Sequence, residues 1–152
     1  MFYIGDEDIS YFERRITVLG CETCFLGDMI KRDNPEVKCI KMSDMKMDDN
    51  ILDIIKTKHK TEPIIIEWDI PTDKFIDLSS SLYSVGQNVY IIVPLTRRGD
   101  VSHNMGMVSD MVLKIYSDKL GYEVITVKNR HGAVGSKKIN HGIGSKLDVL
   151  GL

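Results

Sequence analysis

Lys128 and Arg130 stand one residue apart in Lys128-Asn129-Arg130-His131-Gly132, directly after the partly alternating apolar run Tyr122 to Val127. An ammonium and a planar guanidinium at a rigid strand end can be aimed at phosphate oxygens, the first as a compact charge and the second as a fork of donors. The chain supplies no phosphate cradle for them: no segment reads GxxxxGK[ST], the glycine loop whose N–H groups hold a nucleoside triphosphate. Gly142-Ile143-Gly144-Ser145-Lys146 comes nearest, but its lysine follows the serine, its glycine spacing is wrong and no buried strand leads into it. Two readings fit the pair: a finger reaching the phosphates of a neighbouring subunit, or two solvated cations at a hairpin end.

Other chemistry is sparse. Cys21-Glu22-Thr23-Cys24 has the spacing of half a zinc site, but no second CxxC or His pair completes the four ligands a tetrahedral site needs. Cys39 makes the cysteine count odd, which argues against a disulfide framework and for reduced thiols, so no metal is expected. Net charge is −2, yet seven Lys/Arg fall between Lys114 and Lys146 against Asp118 and Glu123, so one end can face phosphate. No apolar run reaches the ~20 residues that span a bilayer. A cytoplasmic chain with no membrane partner is the expectation.

The elements that must position these residues alternate. With 152 residues, 43% hydrophobic and 28% charged, the chain suits one globular domain. Met1 to Ile4 reads as a strand, Ser10 as the cap of a helix through Ile16 and Leu19, and Gly20 as that helix's C′ residue. A second helical stretch runs through Phe25, Leu26 and Ile30, a strand covers Val37 to Ile40, and Asp48-Asp49-Asn50 opens a helix through Ile51, Leu52, Ile54 and Ile55. Pro63 to Ile66 is a β-branched run suited to a strand buried on both faces. Thr72 and Asp73 start a helix through Phe75, Ile76, Leu78 and Leu82 that Gly86 closes before the strand Val89 to Val93. The segment from Pro94 to Ser109 reads as a loop with at most one helical turn, and Met111 to Tyr116 with Tyr122 to Val127 as an antiparallel hairpin.

In this order the segments resemble a RecA-fold ATPase core, in particular the RadA (Sms) and DnaB-type helicase group. Phe2 to Asp8 followed by Arg14, Arg15 and Leu19-Gly20 resembles the segment after that group's P-loop helix. Pro63 to Glu67 is similar to its Walker B strand, and Leu95-Thr96-Arg97-Arg98-Gly99 to its Thr-Lys-x-Gly loop. Ser109 to Leu113 is similar to its Asp-x-Val-Leu strand, and Val127 to Gly132 to its Lys-Asn-Arg-x-Gly motif. The resemblance implies a fold class of α/β, a partial RecA-like core with a mainly parallel sheet flanked by helices and a C-terminal antiparallel hairpin. Residues 1–136 form this core without the P-loop strand and helix, and 137–152 an edge strand and tail.

The same resemblance implies catalytic roles: Lys128 and Arg130 as a trans-acting finger, with Glu7 and Glu67 as vestigial acidic positions. It places Arg97 and Arg98 where the group faces single-stranded DNA, with Lys137 and Lys138 as further basic candidates. For Glu7 the alternative is a solvated turn carboxylate beside Asp6 and Asp8, and for Arg97 and Arg98 two solvated loop arginines. Three departures stand out: the P-loop is missing, Glu67 replaces the Walker B aspartate, and Pro94 replaces a polar residue at the next strand end. They favour a non-hydrolysing relative, tied to DNA repair, recombination or replication, that binds an intact ATPase or DNA. The alternative is the C-terminal half of a split, active ATPase or helicase. No cofactor is expected on the chain alone, with ATP and Mg only if a partner supplies the P-loop. Partners expected are a second copy or an intact RecA-fold ATPase, and single-stranded DNA. A sheet lacking an inner strand also exposes an edge that recruits another chain.

Overall fold

A computed structural model describes residues 2–9, 16–45, 63–76, 78–79, 88–118, 121–130 and 132–140. Its centre is a strand that the sequence pattern assigned to a helix. Ile16–Cys21 forms β3, buried at every position. An apolar run this short fits either state by periodicity, and β-branched Ile16, Thr17 and Val18 favour the strand once both faces are covered. Gly20 is not a helix cap. It lies in β3, where a Cβ would come within 2.6 Å of Val101 Cγ2 and 2.7 Å of Leu95 Cδ2.

The first residues form a separate hairpin. Tyr3–Ile4 (β1) pairs antiparallel with Glu7–Asp8 (β2) around Gly5, whose φ of 60° suits a residue without a Cβ. Asn34 ties this hairpin down by accepting from the Tyr3 N–H at 2.6 Å and donating to the Tyr3 and Ile30 carbonyls at 2.7 and 2.8 Å. Phe2 stacks on Tyr90 at 3.7 Å between ring centroids, and the Tyr90 hydroxyl donates to the Ile9 carbonyl.

From β3 the chain enters α1, Cys24–Asp33, and then β4, Lys38–Lys41. Strands β5, Ile64–Glu67, and β6, Val89–Pro94, follow. Between them Thr72–Lys74 makes a 3₁₀ turn that continues into helical backbone at Phe75, Ile76, Leu78 and Ser79. The expected helix at Ile51 to Ile55, and the end of this one at Leu82 and Gly86, lie outside the described residues. His103–Val108 then forms α2, longer than the single turn expected there. Met111–Asp118 (β7), Gly121–Asn129 (β8) and Gly135–Asn140 (β9) complete the chain's described strands.

The seven-stranded sheet has the order β4-β5-β6-β3-β7-β8-β9. Pairing is parallel from β4 through β7 and antiparallel over β7-β8-β9. This is the mixed α/β sheet with a C-terminal antiparallel hairpin that the sequence indicated, and β9 is its edge strand. The expected gap is not there: β3 lies between β6 and β7 in continuous register, so no inner strand is missing. Among the described residues the edge strands are β4 and β9.

Each face carries its own core. On one, Leu26, Met29 and Ile30 of α1 pack on Leu19, Ile65, Tyr90, Ile92 and Leu113, with Phe2 and Ile4 of the hairpin. On the other, Met105 of α2 meets Ile16, Val18, Ile64, Ile91 and Val93, beside Trp68 and Phe75 in edge-to-face contact at 5.2 Å. Gly27 lets α1 approach closely, since a Cβ there would stand 2.9 Å from Ile92 Cγ2.

Candidate functional site

In an open parallel sheet, ligands bind beyond the carboxyl ends of the strands, where neighbouring strands send their connections to opposite faces. Here β3 leads into α1 on one face and its neighbour β6 leads into α2 on the other. A crevice of about 600 Å³ opens at that point. Cys21, Thr23, Cys24 and Gly27 line it from the β3–α1 side, Glu67 to Ile70 from the end of β5, and Ile92 to Thr96 from the end of β6.

A P-loop is a strand, a glycine-rich phosphate loop and a helix. The chain has the strand and the helix in β3 and α1, which corrects the expectation that both were absent. The loop is what is missing. Only Glu22 and Thr23 separate β3 from α1, with no glycine or lysine, and the Thr23 hydroxyl caps its own helix by accepting from the Leu26 N–H. Two residues cannot wrap a polyphosphate, and the Glu22 carboxylate repels one.

Glu67 stands at the end of β5 inside this crevice, bound to Lys31 of α1 at 3.1 Å. Lys31 also holds Asp28 at 3.1 Å. Burial alone would lower the Lys31 pKa, but its hydrogen bonds to Asp28 and Glu67 hold it above the usual lysine value, so the cation stays in place. Asp69 is likewise engaged: its carboxylate accepts from the Ser43 N–H at 2.8 Å and from the Ser43 hydroxyl, with Lys41 at 3.9 Å. Burial pushes its pKa up, and the Ser43 bonds and Lys41 outweigh this and hold it low. Pro94 pairs with Cys21 at the β6 end and offers no side-chain hydrogen bond. Among the described residues no group of three His, Cys, Asp or Glu is placed to hold a metal ion. These residues do not fit a Mg-bound triphosphate.

Lys128 and Arg130 lie at the other end of the sheet. Lys128 pairs with Val112, which pairs with Val18 near the start of β3. Its ammonium donates to the Gly106 and Met107 carbonyls of α2 at 2.6 and 3.1 Å, and Arg130 donates to the Met107 carbonyl at 3.2 Å. Arg130 also approaches Asp110 at 3.6 Å. Both cations thus cap the C-terminal carbonyls of α2, a placement that sequence alone did not signal because the acceptors are backbone atoms. Burial, then Arg130, lowers the Lys128 pKa.

The remaining candidates are scattered. Glu7 forms an ion pair with Lys137 of β9 and joins neither the crevice nor the Lys128 end. Lys138 lies next to it on β9, opposite Glu123. Arg97 and Arg98 are exposed at the tip of a turn closed by hydrogen bonds between Thr96 and Asp100, with Gly99 at a φ of 76°. Residues on the crevice wall that sequence reasoning did not put forward as site residues are Thr23, Trp68 and Thr96. The one available signal was the chain's single tryptophan placed directly after the apolar strand β5.

The sheet order, the crevice and the helices on both faces define a RecA-like α/β domain. Among solved structures, the N-terminal domain of zonular occludens toxin from Neisseria meningitidis is similar, with a TM-score of 0.51 and 10% identity over 90% of this chain and 98% of that one. A KaiC-like protein from the hyperthermophile Pyrococcus horikoshii OT3 is similar with a TM-score of 0.53 and 10% identity over 88% of each chain. Both share the RecA-like fold. No protein-family model and no curated protein matches the chain. No helix among the described residues is long and apolar enough to cross a membrane.

Proposed function

We propose that the chain is a non-hydrolysing RecA-fold binding protein, allied to the RadA and DnaB-type group, that associates with a RecA-fold ATPase subunit. The observation that carries this reading is the Glu22–Thr23 connection between β3 and α1, too short and of the wrong charge to cradle phosphates. The Lys31–Glu67 pair adds to it, because the carboxylate in the Walker B-like strand is neutralised within the chain. Against the alternative of a complementing half-enzyme stands the continuous pairing of β3 with β6 and β7, the position such a half would be expected to fill.

Association is supported by the separation of the two ends. The crevice lies beyond the carboxyl ends of the parallel strands and Arg130 beyond their amino ends, the arrangement that lets subunits contact one another head to tail. Arg130 keeps 46% of its side chain exposed and could present its guanidinium to a neighbour. A role beside single-stranded DNA rests on the exposed Arg97 and Arg98 turn.

The purified chain is expected to show no ATP hydrolysis above background with Mg²⁺, with or without single-stranded DNA. Steady turnover abolished by Glu67→Ala would overturn the reading. Salt-independent DNA binding, or binding unchanged by Arg97→Ala with Arg98→Ala, would remove the DNA role.

A further inference from the structure

We infer that the crevice is a binding site for an uncharged, flat aromatic molecule rather than for a phosphorylated one. This rests on the crevice lining and is independent of the ATPase-partner reading. Its volume of about 600 Å³ falls in the range of small-molecule sites, roughly 300–1,000 Å³. Its position at the strand ends is where this sheet geometry gathers side chains from three strands and one helix.

The chemistry of the walls selects the ligand. Among the described residues no lysine or arginine lines the crevice, and the charged groups that do are Glu67 and Asp69. Lys31 and Lys41, the cations behind those carboxylates, are already paired with them and compensate rather than exceed their charge. An anion entering there loses its hydration with no cation to replace it. An aromatic ring meets apolar surface instead, from the half-buried Ile70 and Leu95, with the buried Trp68 and Ile92 behind them. Trp68 is 1% exposed and fixed by its N–H bond to the Pro71 carbonyl at 3.3 Å and by the edge of Phe75, so this wall is rigid.

Polar recognition comes from hydroxyls. Thr23 and Thr96 each accept a backbone N–H, from Leu26 and Asp100, which leaves their O–H hydrogens available as donors at the crevice rim. Neutral donors of this kind suit carbonyl or ring-nitrogen acceptors on an uncharged heterocycle. The site therefore keeps the shape of a ligand crevice while selecting against phosphate.

The chain's single tryptophan reports on the site directly, because Trp68 lines it. The probe is phenylnaphthylamine, uncharged and aromatic, compared with its sulfonated analogue anilinonaphthalene sulfonate. Phenylnaphthylamine is expected to quench Trp68 saturably at one site, and the sulfonate to bind at least about tenfold more weakly. In a Cys39→Ser background, N-ethylmaleimide reaches exposed Cys24 on the rim and spares buried Cys21. That adduct is expected to weaken phenylnaphthylamine binding by at least about tenfold, with circular dichroism unchanged. Absence of saturable quenching, equal affinity for the sulfonate, indifference to the Cys24 adduct, or displacement of the probe by Mg-ATP each overturns the assignment.

Discussion

Replacing Lys128 by Met removes an ammonium while keeping an unbranched apolar stem, which separates a structural cap from a free phosphate finger. The ammonium makes bonds of 2.6 and 3.1 Å to carbonyls at the end of α2. A hydrogen bond to a charged group contributes about 1.5–3 kcal/mol, and a cation at a helix C-terminus about 0.3–1 kcal/mol. Lys128 is only half-buried, so water satisfies much of what the variant loses, and its lowered pKa shows that burying the charge, and then holding it beside Arg130, has a cost. The net loss is about 1.5–2 kcal/mol. For a chain of this size each kcal/mol moves Tm by about 2–4 °C, so Lys128→Met melts about 3–8 °C below the parent. Thermal unfolding by circular dichroism at neutral pH measures this. Arg130→Met, at a more exposed position, lowers Tm by less. A Tm for Lys128→Met within about 1 °C of the parent would refute the capping argument and leave the lysine free to serve phosphate.

The lowered Lys128 pKa also sets a pH dependence. The unfolded chain binds more protons than the folded one between the folded-state pKa and the ordinary lysine value of about 10.4, so stability from this group rises with pH across that window. Denaturant midpoints of parent and Lys128→Met taken at rising pH should diverge in the parent's favour there, and a constant difference would contradict the shift. Gly20→Ala places a Cβ within 2.6 and 2.7 Å of Val101 and Leu95 side chains in the middle of the sheet, and overpacking of this kind costs about 1–3 kcal/mol. Urea unfolding should show that loss, and an unchanged midpoint would mean that the Leu95–Val101 segment yields freely.

The parts of the fold that were legible are those with one unambiguous pattern. Ile64 to Ile66 reads as a buried parallel strand because β-branched residues continue without a polar break, and it is one. Tyr122 to Val127 shows its hairpin by alternation and a short connection. Cys24–Asp33 matches the helical spacing of Leu26 and Ile30 and stops ahead of Pro35, as expected of a helix end. Ile16 to Leu19 was misread because a short apolar run carries no period of its own, and its strand state is fixed by β6 and β7, far along the chain. Tyr3–Ile4 is held by the Asn34 side chain and by Phe2 stacking on Tyr90, tertiary contacts that leave no local signature. In the site, Glu67 was found at a strand end by its position, but its pairing with Lys31 was not, since the two meet only when α1 lies across β5.

The central position of β3 governs the order in which the molecule can assemble. Among the seven strands of the main sheet it is made first, yet both its partners, beginning at Val89 and Met111, are made last but for the terminal hairpin strands. Until then its apolar residues have no flanking strands, and closing such long loops is the slow step for folds rich in distant contacts. Chains caught during synthesis expose this apolar, β-branched segment without its partners, an aggregation hazard. This molecule is therefore expected to fold late and as a unit, with the middle of its sheet formed only when its far end arrives.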